Sequence, residues 1–452
     1  MVDESGPVRS ILDTDLYKLT MQQAVLKHYK EAQVTYMKFT RECVDRIREH
    51  INALSELYLT TEELEWLKKT CPYLQPAYLS FLSSFRFRPQ DQVTASFVPD
   101  PDCDGMGSVE WGQLELVAQG NWCEVILYEV PLMAIVSEMY FLFVEKKWSL
   151  VGQRALAADK ARKLVGAGIR FSEFGTRRRR SYLTHKTVMQ GLMQGEKEAL
   201  ESDGKGKVVG TSNVHFARMF NLAPVGTVAH EWTMAIAALE GYDRANLRSL
   251  EAWDAVYSPP SFEPGSPAHD LTIALTDTFS TRVFFDDLLS SQKGREIAKR
   301  WKGLRQDSGD SKLFATNAKN VYEGLGVDPK EKVVIFSDSL NVEKCINLAK
   351  FSNAIGIGCS FGVGTDFTND FQCQMEGPTS SHEADIDDVS ILKSQRGKSK
   401  ALNMVIKLRS INGRNAVKIS DDLTKNTGDA EEVAMCKRRF GIDEAQENVE
   451  DA

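Results

Sequence analysis

The chain has 452 residues, of which 42% are hydrophobic and 26% are charged, and its formal net charge at pH 7 is −8. This length exceeds what one ordinary core accommodates, so it predicts two domains, or one large barrel with an accessory domain. The negative charge opposes broad attraction to nucleic acid or to an anionic membrane, and any anion-binding site must therefore be local.

No segment of the sequence favours export or membrane insertion. Residues 1–10 are polar and lack the hydrophobic core of a signal peptide. The longest apolar stretch, residues 125–144, contains Glu129, Pro131 and Glu138, which favours a buried strand-to-helix passage over a membrane span. Eight cysteines occur without a CxxC pair, which predicts reduced thiols and no structural metal. We therefore expect a soluble, cytoplasmic protein, with the nucleus left open as a second location.

The N-terminal part of the chain carries one helix signal and one hairpin signal. Residues 13–15, Asp-Thr-Asp, can cap a helix that begins near residue 15. Farther on, residues 113–119 and 122–128 are β-prone and flank Gly120-Asn121, a pair suited to a tight hairpin turn. The sequence therefore predicts an antiparallel sheet in this part.

The C-terminal part carries a second hairpin signal. Residues 405–408 and 416–419 flank Asn412-Gly413, a pair of the same kind. We predict an N-terminal α/β domain over residues 1–150, to which a C-terminal segment, residues 396–452, returns.

Residues 151–395, between these parts, alternate short apolar runs with longer helix-compatible segments. The runs end in Gly, Ser, Thr or Asp and comprise residues 169–175, 208–213, 225–230, 271–280, 303–310, 333–339 and 354–358. This pattern predicts an irregular α/β barrel as the catalytic domain, with the loops after the strands gathering the reacting groups on one face. An open, doubly wound sheet has the same local pattern and is the alternative.

Four consecutive arginines, Arg177 to Arg180, follow the first of these runs and Gly175. Guanidinium groups bind phosphate oxygens bidentately, although a run of this kind is also typical of a solvated basic face. The position after a predicted strand favours an anion site. Since four side chains cannot all point inward, we predict that Arg177, and with lower weight Arg179, contacts the anion.

The segment GTVAHEW, residues 226–232, places His230 between a strand end and the start of a helix. Histidine can accept a phosphoryl group or act as an acid or base, and Glu231 or another carboxylate could hold its ring. A hydrogen-bonded histidine at a helix N-terminus is also a common structural feature. Spacing alone does not select His230 over His185 or His215.

Three further strand ends carry an aspartate, namely Asp277, Asp307 and Asp338. A single strand-end aspartate is commonly a cap or turn former, but three converging carboxylates could hold a sugar diol or a Mg²⁺ diphosphate. Glycine-rich turns at residues 356–358 and 362–365 offer the close backbone approach and amide donors that a phosphate cradle requires.

These features together predict a phosphorylated sugar substrate on a barrel. A sugar-phosphate isomerase or aldolase fits the same residues, although no lysine at a strand end is an obvious Schiff-base candidate. The residues by themselves lead no further.

The order of these segments resembles that of nicotinate phosphoribosyltransferases of the fungal and bacterial type. The resemblance covers nearly the whole chain, through DTDLYKLT (13–20), FGTRR (174–178), GTSN (210–213), GTVAHEW (226–232), LRQDSGD (304–310) and NGRNAVKIS (412–420). Ordered agreement of this kind is far more specific than any one motif. One departure is Asn415, which stands where the resemblance leads us to expect proline.

The resemblance implies a type II phosphoribosyltransferase fold, in which an irregular α/β barrel is joined to a second α/β domain formed by both chain ends, in a homodimer. It implies that nicotinate attacks carbon 1 of phosphoribosyl diphosphate, giving nicotinate mononucleotide and diphosphate in NAD biosynthesis and salvage. ATP as cosubstrate, with Mg²⁺, would improve the equilibrium through a phosphohistidine, which gives the transferase a ligase character.

The same resemblance assigns roles to individual residues. His230 matches the phosphorylated histidine, and Tyr17 matches an aromatic position whose ring can stack on the pyridine. Thr227 and Arg305 match further nicotinate contacts, where an arginine favours a carboxylate over an amide. Arg177 matches a position near the substrate.

Thr365 matches a contact to phosphoribosyl diphosphate. The aspartates are our inference from strand-end placement, with Mg²⁺ and ribose as their targets. The predicted catalytic set is His230, Glu231 and Asp307. The predicted substrate-binding set is Tyr17, Arg177, Thr227, Arg305, Asp277, Asp338, Gly362, Gly364 and Thr365.

Two other functions are compatible with the sequence. A nicotinamide phosphoribosyltransferase shares the fold and the histidine, although the FGTR and GTVAHE segments favour the nicotinate family. A catalytically silent relative that binds a nucleotide or phosphosugar is the rival of another class, and the intact polar strand ends argue against it.

Overall fold

The computed structural model describes residues 6–28, 41–99, 111–258, 265–372, 398–402, 406–422 and 426–442. The helices are α1 (Leu16–His28), α2 (Arg41–Ala53), α3 (Thr61–Thr70), α4 (Pro76–Ser84), α5 (Pro89–Gln92), α6 (Trp122–Val125), α7 (Glu129–Phe143), α8 (Gln153–Gly166), α9 (Tyr182–Leu200), α10 (Val214–Met219), α11 (His230–Glu240), α12 (Ala245–Tyr257), α13 (Thr281–Leu289), α14 (Gln292–Arg300), α15 (Ser311–Gly324), α16 (Val342–Ile355), α17 (Thr365–Thr368) and α18 (Ala430–Phe440). The strands are β1 (Val93–Pro99), β2 (Gly112–Ala118), β3 (Arg170–Glu173), β4 (Lys207–Thr211), β5 (Ala223–Pro224), β6 (Ile273–Leu275), β7 (Gly303–Gln306), β8 (Val333–Phe336), β9 (Gly358–Val363), β10 (Phe371–Gln372), β11 (Lys398–Ser399), β12 (Ser410–Ile411) and β13 (Arg414–Asn415).

Strands β3 to β9 form one parallel sheet in the order β5-β4-β3-β9-β8-β7-β6. Read as a ring, this order is sequential, because the first strand of the set, β3, pairs with the last, β9. A barrel pairs its first strand with its last, whereas the doubly wound alternative does not. Among the described residues the ring is open between β5 and β6. The predicted irregular α/β barrel, accompanied by a second domain, is confirmed.

Two of the predicted strands were misplaced. Strand β5 precedes residues 225–230, so these residues form the loop after the strand. Residues 354–355 end helix α16, which Gly356 caps with a φ of +79°, and the strand begins only at Gly358. The glycine turn at residues 356–358 therefore lies at the N-terminal end of β9, away from the loops that follow the strands.

Helix α1 begins at Leu16, as the capping residues 13–15 led us to predict. The prediction of the first hairpin, over residues 113–128, was wrong. Strand β2 is present and pairs antiparallel with the upstream strand β1. The second predicted strand is instead α6 and the turns that lead into α7. From Trp122 to Tyr128 nearly every side chain is buried, without the alternation of a half-buried strand, and a buried helix satisfies this pattern.

The apolar stretch that we interpreted as a strand-to-helix passage is therefore helical. The helical residues Trp122–Phe143 are long and apolar enough to cross a membrane by length and composition alone. However, 83% of the apolar window in this stretch is buried inside the protein. A core helix passes the same test, so this finding is weak evidence for a membrane span.

The C-terminal hairpin is confirmed at its turn, but its strands are shorter and lie closer to the turn than residues 405–408 and 416–419, which we predicted. Strands β12 and β13 pair antiparallel around Asn412 and Gly413, whose φ angles of +48° and +74° suit a two-residue turn. Residue 405 lies outside the described residues. After this hairpin the chain runs beside the loop that follows β6, where Ile419 forms a parallel bridge with Phe279.

Helix α18 packs on the barrel side of the molecule. It contributes Cys436 to a small apolar cluster with Tyr242, Phe279 and Ile419. The described contacts of this segment thus include barrel elements, and the boundaries at residues 150 and 395 stay a prediction.

Candidate active site

The loops that follow β5, β6 and β7 meet at His230. This residue opens helix α11, directly after the loop that follows β5. Amide groups at a helix N-terminus have no intrahelical partner, and the helix dipole favours negative charge there. The ring therefore lies where an added phosphoryl group would be stabilised.

Both ring nitrogens of His230 have polar neighbours. Nδ1 lies 3.1 Å from Oγ1 of Thr278. Nε2 lies 3.0 Å from Nζ of Lys418, 3.3 Å from Oδ2 of Asp307 and 3.8 Å from Oδ1 of Asp277. The side chain is 19% exposed, so a substrate can still reach it.

The surroundings of His230 favour the neutral ring. Burial lowers the pKa of His230 below its usual value of 6.5, and the charge of Lys418 lowers it further. Since a lysine ammonium only donates, Nε2 can accept from Lys418 while Nδ1–H donates to Thr278. In the other tautomer Nε2–H donates to Asp307. The first tautomer leaves the Nε2 lone pair directed at the Lys418 ammonium.

Asp277 and Asp307 lie beside this ring, as their strand-end positions predicted. Asp277 is fully buried and accepts hydrogen bonds from Ser308 (2.6 Å) and Lys418 (3.2 Å). Burial works to raise the pKa of Asp307, but the charge of Arg305 and the hydrogen bond with His230 hold it well below its usual value. Asp307 is therefore a stable carboxylate at neutral pH.

Arg305 points into the same site from β7. Its Nη2 donates to Asp307 (3.0 Å), its Nε donates to Ser337 (2.9 Å), and its guanidinium lies 5.9 Å from the ring centroid of Phe174. Ser337 donates in turn to Asp307 at 2.6 Å. In the loop after β8, Ser337 contacts this cluster. Asp338, the next residue, accepts a hydrogen bond from Ser339.

Of the two alternatives for the carboxylate that holds the imidazole, Glu231 or another, the structure places another there. Oε2 of Glu231 lies 2.6 Å from Nζ of Lys18, and its Oε1 accepts from the indole N–H of Trp122 at 2.7 Å. Successive residues of a helix point about 100° apart, so Glu231 faces away when His230 faces the site. Asp307 and Asp277 are the carboxylates beside the ring.

The loop that carries Thr227 approaches the backbone of Tyr17 at the start of α1. A Cβ on Gly226 would lie 2.9 Å from the backbone nitrogen of Tyr17, so only glycine allows the loop before α11 to approach so closely. The Thr227 side chain is buried, and its hydroxyl donates to the carbonyl of Val228 (3.3 Å). The Tyr17 hydroxyl donates to Glu129 at 3.4 Å.

Of the four arginines, Arg177 is directed at this region. It lies 5.9 Å from the Tyr17 ring centroid, donates to Glu129 at 3.2 Å and is 41% exposed. Arg179 is fully buried in a bidentate pair with Asp13, so the lower-weight prediction of anion binding at Arg179 is wrong. Arg180 is equally buried and donates to side chains elsewhere.

The turn after β9 packs against the loop that carries Arg177. The Thr368 hydroxyl donates to the carbonyl of Gly175 at 2.9 Å, and a Cβ on Gly364 would lie 3.0 Å from the carbonyl oxygen of Phe174. Thr365 opens α17 at this turn. Gly362 lies within β9, where a Cβ would overlap the Phe174 ring, so it makes room for an aromatic side chain and forms no turn.

The carboxylates fit a metal ion only in part. No three His, Cys, Asp or Glu side chains in the described ranges are arranged to hold a metal ion by themselves. Asp277 and Asp307 nevertheless approach the same imidazole nitrogen, and Oδ1 of Asp277 is buried without a hydrogen-bond partner. Mg²⁺ commonly binds one or two carboxylates and completes its shell with water and substrate phosphates. These residues fit an ion that arrives with a diphosphate.

Fold and site together define a class of protein, an α/β-barrel enzyme with histidine, carboxylates and arginines gathered at the strand ends. Residues 169–444 match the model of the nicotinate phosphoribosyltransferase (NAPRTase) family, and residues 12–137 match the N-terminal domain of that family. The chain belongs to the nicotinate phosphoribosyltransferase family, which confirms the resemblance drawn from its motifs.

Relatives match over nearly their whole length. A Schizosaccharomyces pombe protein named "Probable nicotinate phosphoribosyltransferase" is 41% identical over 96% of this chain and 98% of its own. The nicotinate phosphoribosyltransferase of Saccharomyces cerevisiae is 37% identical over 97% of this chain and 96% of its own. The crystal structure of the Porphyromonas gingivalis nicotinate phosphoribosyltransferase has a TM-score of 0.78 at 33% identity and covers 96% of this chain and 100% of that chain.

Proposed function

We propose that this protein forms nicotinate mononucleotide and diphosphate from nicotinate and phosphoribosyl diphosphate, in NAD salvage, and couples the reaction to ATP hydrolysis through phosphorylation of His230. Family membership supports the transfer reaction. One observation carries the coupling: the imidazole of His230, at a helix N-terminus, has a lysine at one nitrogen and a hydroxyl at the other. A cytoplasmic homodimer is part of the same proposal.

In the phosphorylation step Nε2 of His230 attacks the γ-phosphorus of ATP, a P–N bond forms, and the bond to the leaving ADP oxygen breaks. Lys418 and the free amides of α11 would balance the added negative charge. The Nδ1 proton stays on the ring and is held by Thr278. Water later attacks the phosphorus and restores the neutral histidine with release of phosphate.

Nicotinate would lie between Tyr17 and Arg305. The Tyr17 ring offers a stacking face for the electron-poor pyridine, and a guanidinium binds a carboxylate in preference to an amide. Thr227 lies in the loop that touches the backbone of Tyr17. Arg177, held by Glu129, supplies a second positive charge on the Tyr17 side.

Phosphoribosyl diphosphate would extend from the turn at Gly364 and Thr365 toward Asp277 and Asp307. Mg²⁺, when bound, would neutralise charge on the leaving diphosphate. The departing diphosphate leaves oxocarbenium character at carbon 1, to which the pyridine nitrogen bonds. This chain's residues position both partners, and no protein nucleophile is needed at the sugar.

The test is mononucleotide formation with nicotinate or nicotinamide, each with and without ATP, in the presence of phosphoribosyl diphosphate and Mg²⁺. We expect turnover with nicotinate, stimulation by ATP, and a labile phosphoryl adduct in the intact-protein mass that is absent from His230→Ala. Preference for nicotinamide would favour the rival base, and absence of product with either base would favour the silent relative. An unchanged adduct in His230→Ala would remove His230 from the mechanism.

A further inference from the structure

We propose that Lys18 is a positioning residue that transmits the phosphorylation state of His230 to the nicotinate site. Lys18 lies between two buried carboxylates, one next to His230 in sequence and one in contact with Tyr17 and Arg177. This inference rests on the proposed function, because it assigns a route for the coupling between ATP and nicotinate.

The first half of this route joins α1 to the start of α11. Lys18 is fully buried, and its Nζ lies 2.6 Å from Oε2 of Glu231. The other carboxylate oxygen of Glu231 accepts the indole N–H of Trp122 at 2.7 Å. Glu231 is therefore held on both oxygens, so a displacement of the first turn of α11 is passed to Lys18.

The second half joins Lys18 to the residues proposed to hold nicotinate. Lys18 also forms an ion pair with Glu129, the first residue of α7. Glu129 in turn contacts Nη1 of Arg177 at 3.2 Å and the hydroxyl of Tyr17 at 3.4 Å. One buried ammonium thus links the carboxylate beside His230 to the carboxylate that positions Arg177 and Tyr17.

The charges of these four residues explain why phosphorylation of His230 would change the interactions among them. Lys18 and Arg177 carry positive charge, and Glu129 and Glu231 carry negative charge, so the group is balanced while His230 is neutral. Phosphorylation adds about −1.5 to −2 charges to the residue next to Glu231. That charge draws the α11 amides and Lys418 toward the phosphoryl group, and Glu231 moves as part of the same helical turn.

The experiment compares Lys18→Met with Lys332→Met. Lys332 is also buried but donates to the carbonyls of Lys299 and Trp301, so it is a matched control away from the site. For each protein we would measure the KM for nicotinate with and without ATP, and the phosphoryl adduct on His230. We expect ATP to lower this KM by about tenfold or more in the unsubstituted protein and in Lys332→Met. In Lys18→Met the adduct forms, but the KM ratio falls below about twofold.

A milder pair of variants covers the case in which Lys18→Met does not fold. Trp122→Phe removes the N–H that holds Glu231 and keeps an aromatic ring at the stack with Trp232. The control is Trp301→Phe, which removes an equivalent indole bond to a carboxylate, that of Asp254. We expect Trp122→Phe to reduce the KM ratio at full phosphorylation and Trp301→Phe to leave it unchanged.

The outcomes separate the two proposals. A folded Lys18→Met or Trp122→Phe protein that keeps the full KM ratio overturns the role of Lys18, while the ATP coupling stands. Absence of the adduct in the unsubstituted protein overturns the coupling and the route together, whereas an adduct that forms without any change in the KM overturns the route alone.

Discussion

Two side chains compete for Nε2 of His230. Lys418 can donate to it at 3.0 Å, and Asp307 can accept from it at 3.3 Å. The lysine favours the neutral ring, whereas the carboxylate favours the imidazolium. Because the pKa of His230 is lowered by burial and then by Lys418, the neutral form prevails at pH 7.

Replacing Lys418 by methionine tests this balance. Removal of the ammonium takes away one cause of the lowered pKa, so the pKa of His230 rises toward its usual value. Since a protonated ring cannot attack phosphorus, the acidic limb of the phosphorylation rate moves to higher pH. The measurement is the initial rate of adduct formation between about pH 5 and 8. Lys332→Met serves as the control, and a limb that stays in place or moves to lower pH would contradict the assignment.

The residues around His230 also show which part of a site can be predicted from a sequence. Asp277 and Asp307 were predicted because each follows a strand, and the ends of parallel strands meet. Lys418 was missed although it lies in the NGRNAVKIS motif (412–420), because it is 188 residues from His230 along the chain and nothing local to that motif indicates its partner. Glu231 was one of two alternatives for holding the ring, and it faces away because successive side chains of a helix point about 100° apart.

The four arginines 177–180 also include one residue whose position was predicted correctly and one whose position was not. The 3₁₀ turn Thr176–Arg178 directs the Arg177 side chain toward Tyr17. The backbone at Arg179 is extended, and the Arg179 side chain points into the core. The sequence favoured Arg177, the first arginine after the turn, and gave a lower weight to Arg179. The difference between them depends on the partner that each guanidinium finds, and Asp13, the partner of Arg179, is 166 residues away.

Arg179→Met is expected to damage stability rather than substrate binding. Burial works to raise the pKa of Asp13, but the Arg179 guanidinium outweighs it and lowers that pKa to about 2. Removing the arginine leaves a buried carboxylate without its cation, which costs about 3–5 kcal/mol. Urea unfolding at neutral pH measures the loss, and a variant as stable as the unsubstituted protein would contradict it.

The ion pair of Asp13 and Arg179 should make the free energy of unfolding decrease as the pH falls. A carboxyl group whose folded pKa is depressed contributes stability that is present above its unfolded pKa, near 3.8, and is lost as pH falls through its folded pKa. We therefore expect Asp13 to contribute about 2–3 kcal/mol that disappears between about pH 4 and 2. The Arg179→Met variant should lack this part of the acid transition.

At the scale of the molecule, the succession of strands and helices was predictable but the opening of the ring was not. Most strands carry an apolar run that ends in a polar residue, so local pattern locates them. The exceptions are β5, which has only two residues, and β9, which begins at Gly358 after the end of a helix. The gap between β5 and β6 depends on pairing between distant segments. The C-terminal chain then returns to the loop after β6, where Ile419 N–H donates to the carbonyl of Thr278 at 2.7 Å. That return brings Lys418 to His230.

Two proline substitutions in this returning segment should differ in their effect on the protein: we expect Asn415→Pro to be tolerated and Ile419→Pro to be harmful. In the hairpin, Ser410 and Asn415 form a non-hydrogen-bonded pair, since the flanking bond runs from Ala416 N–H to the Arg409 carbonyl at 2.9 Å. Proline at an exposed position of this kind removes no ladder bond, so Asn415→Pro should keep both stability and activity. This position is also where the family resemblance leads us to expect proline.

Ile419→Pro, four residues later, removes the N–H that ties the segment to Thr278. The carbonyl left without its donor costs about 1–3 kcal/mol, and Lys418 is no longer fixed beside the ring. We expect the phosphoryl adduct on His230 to be lost or strongly slowed in Ile419→Pro and to form normally in Asn415→Pro. Equal adduct formation in the two variants would mean that the returning segment does not complete the site. Loss in both would mean that the hairpin register, rather than the bond to Thr278, sets the position of Lys418.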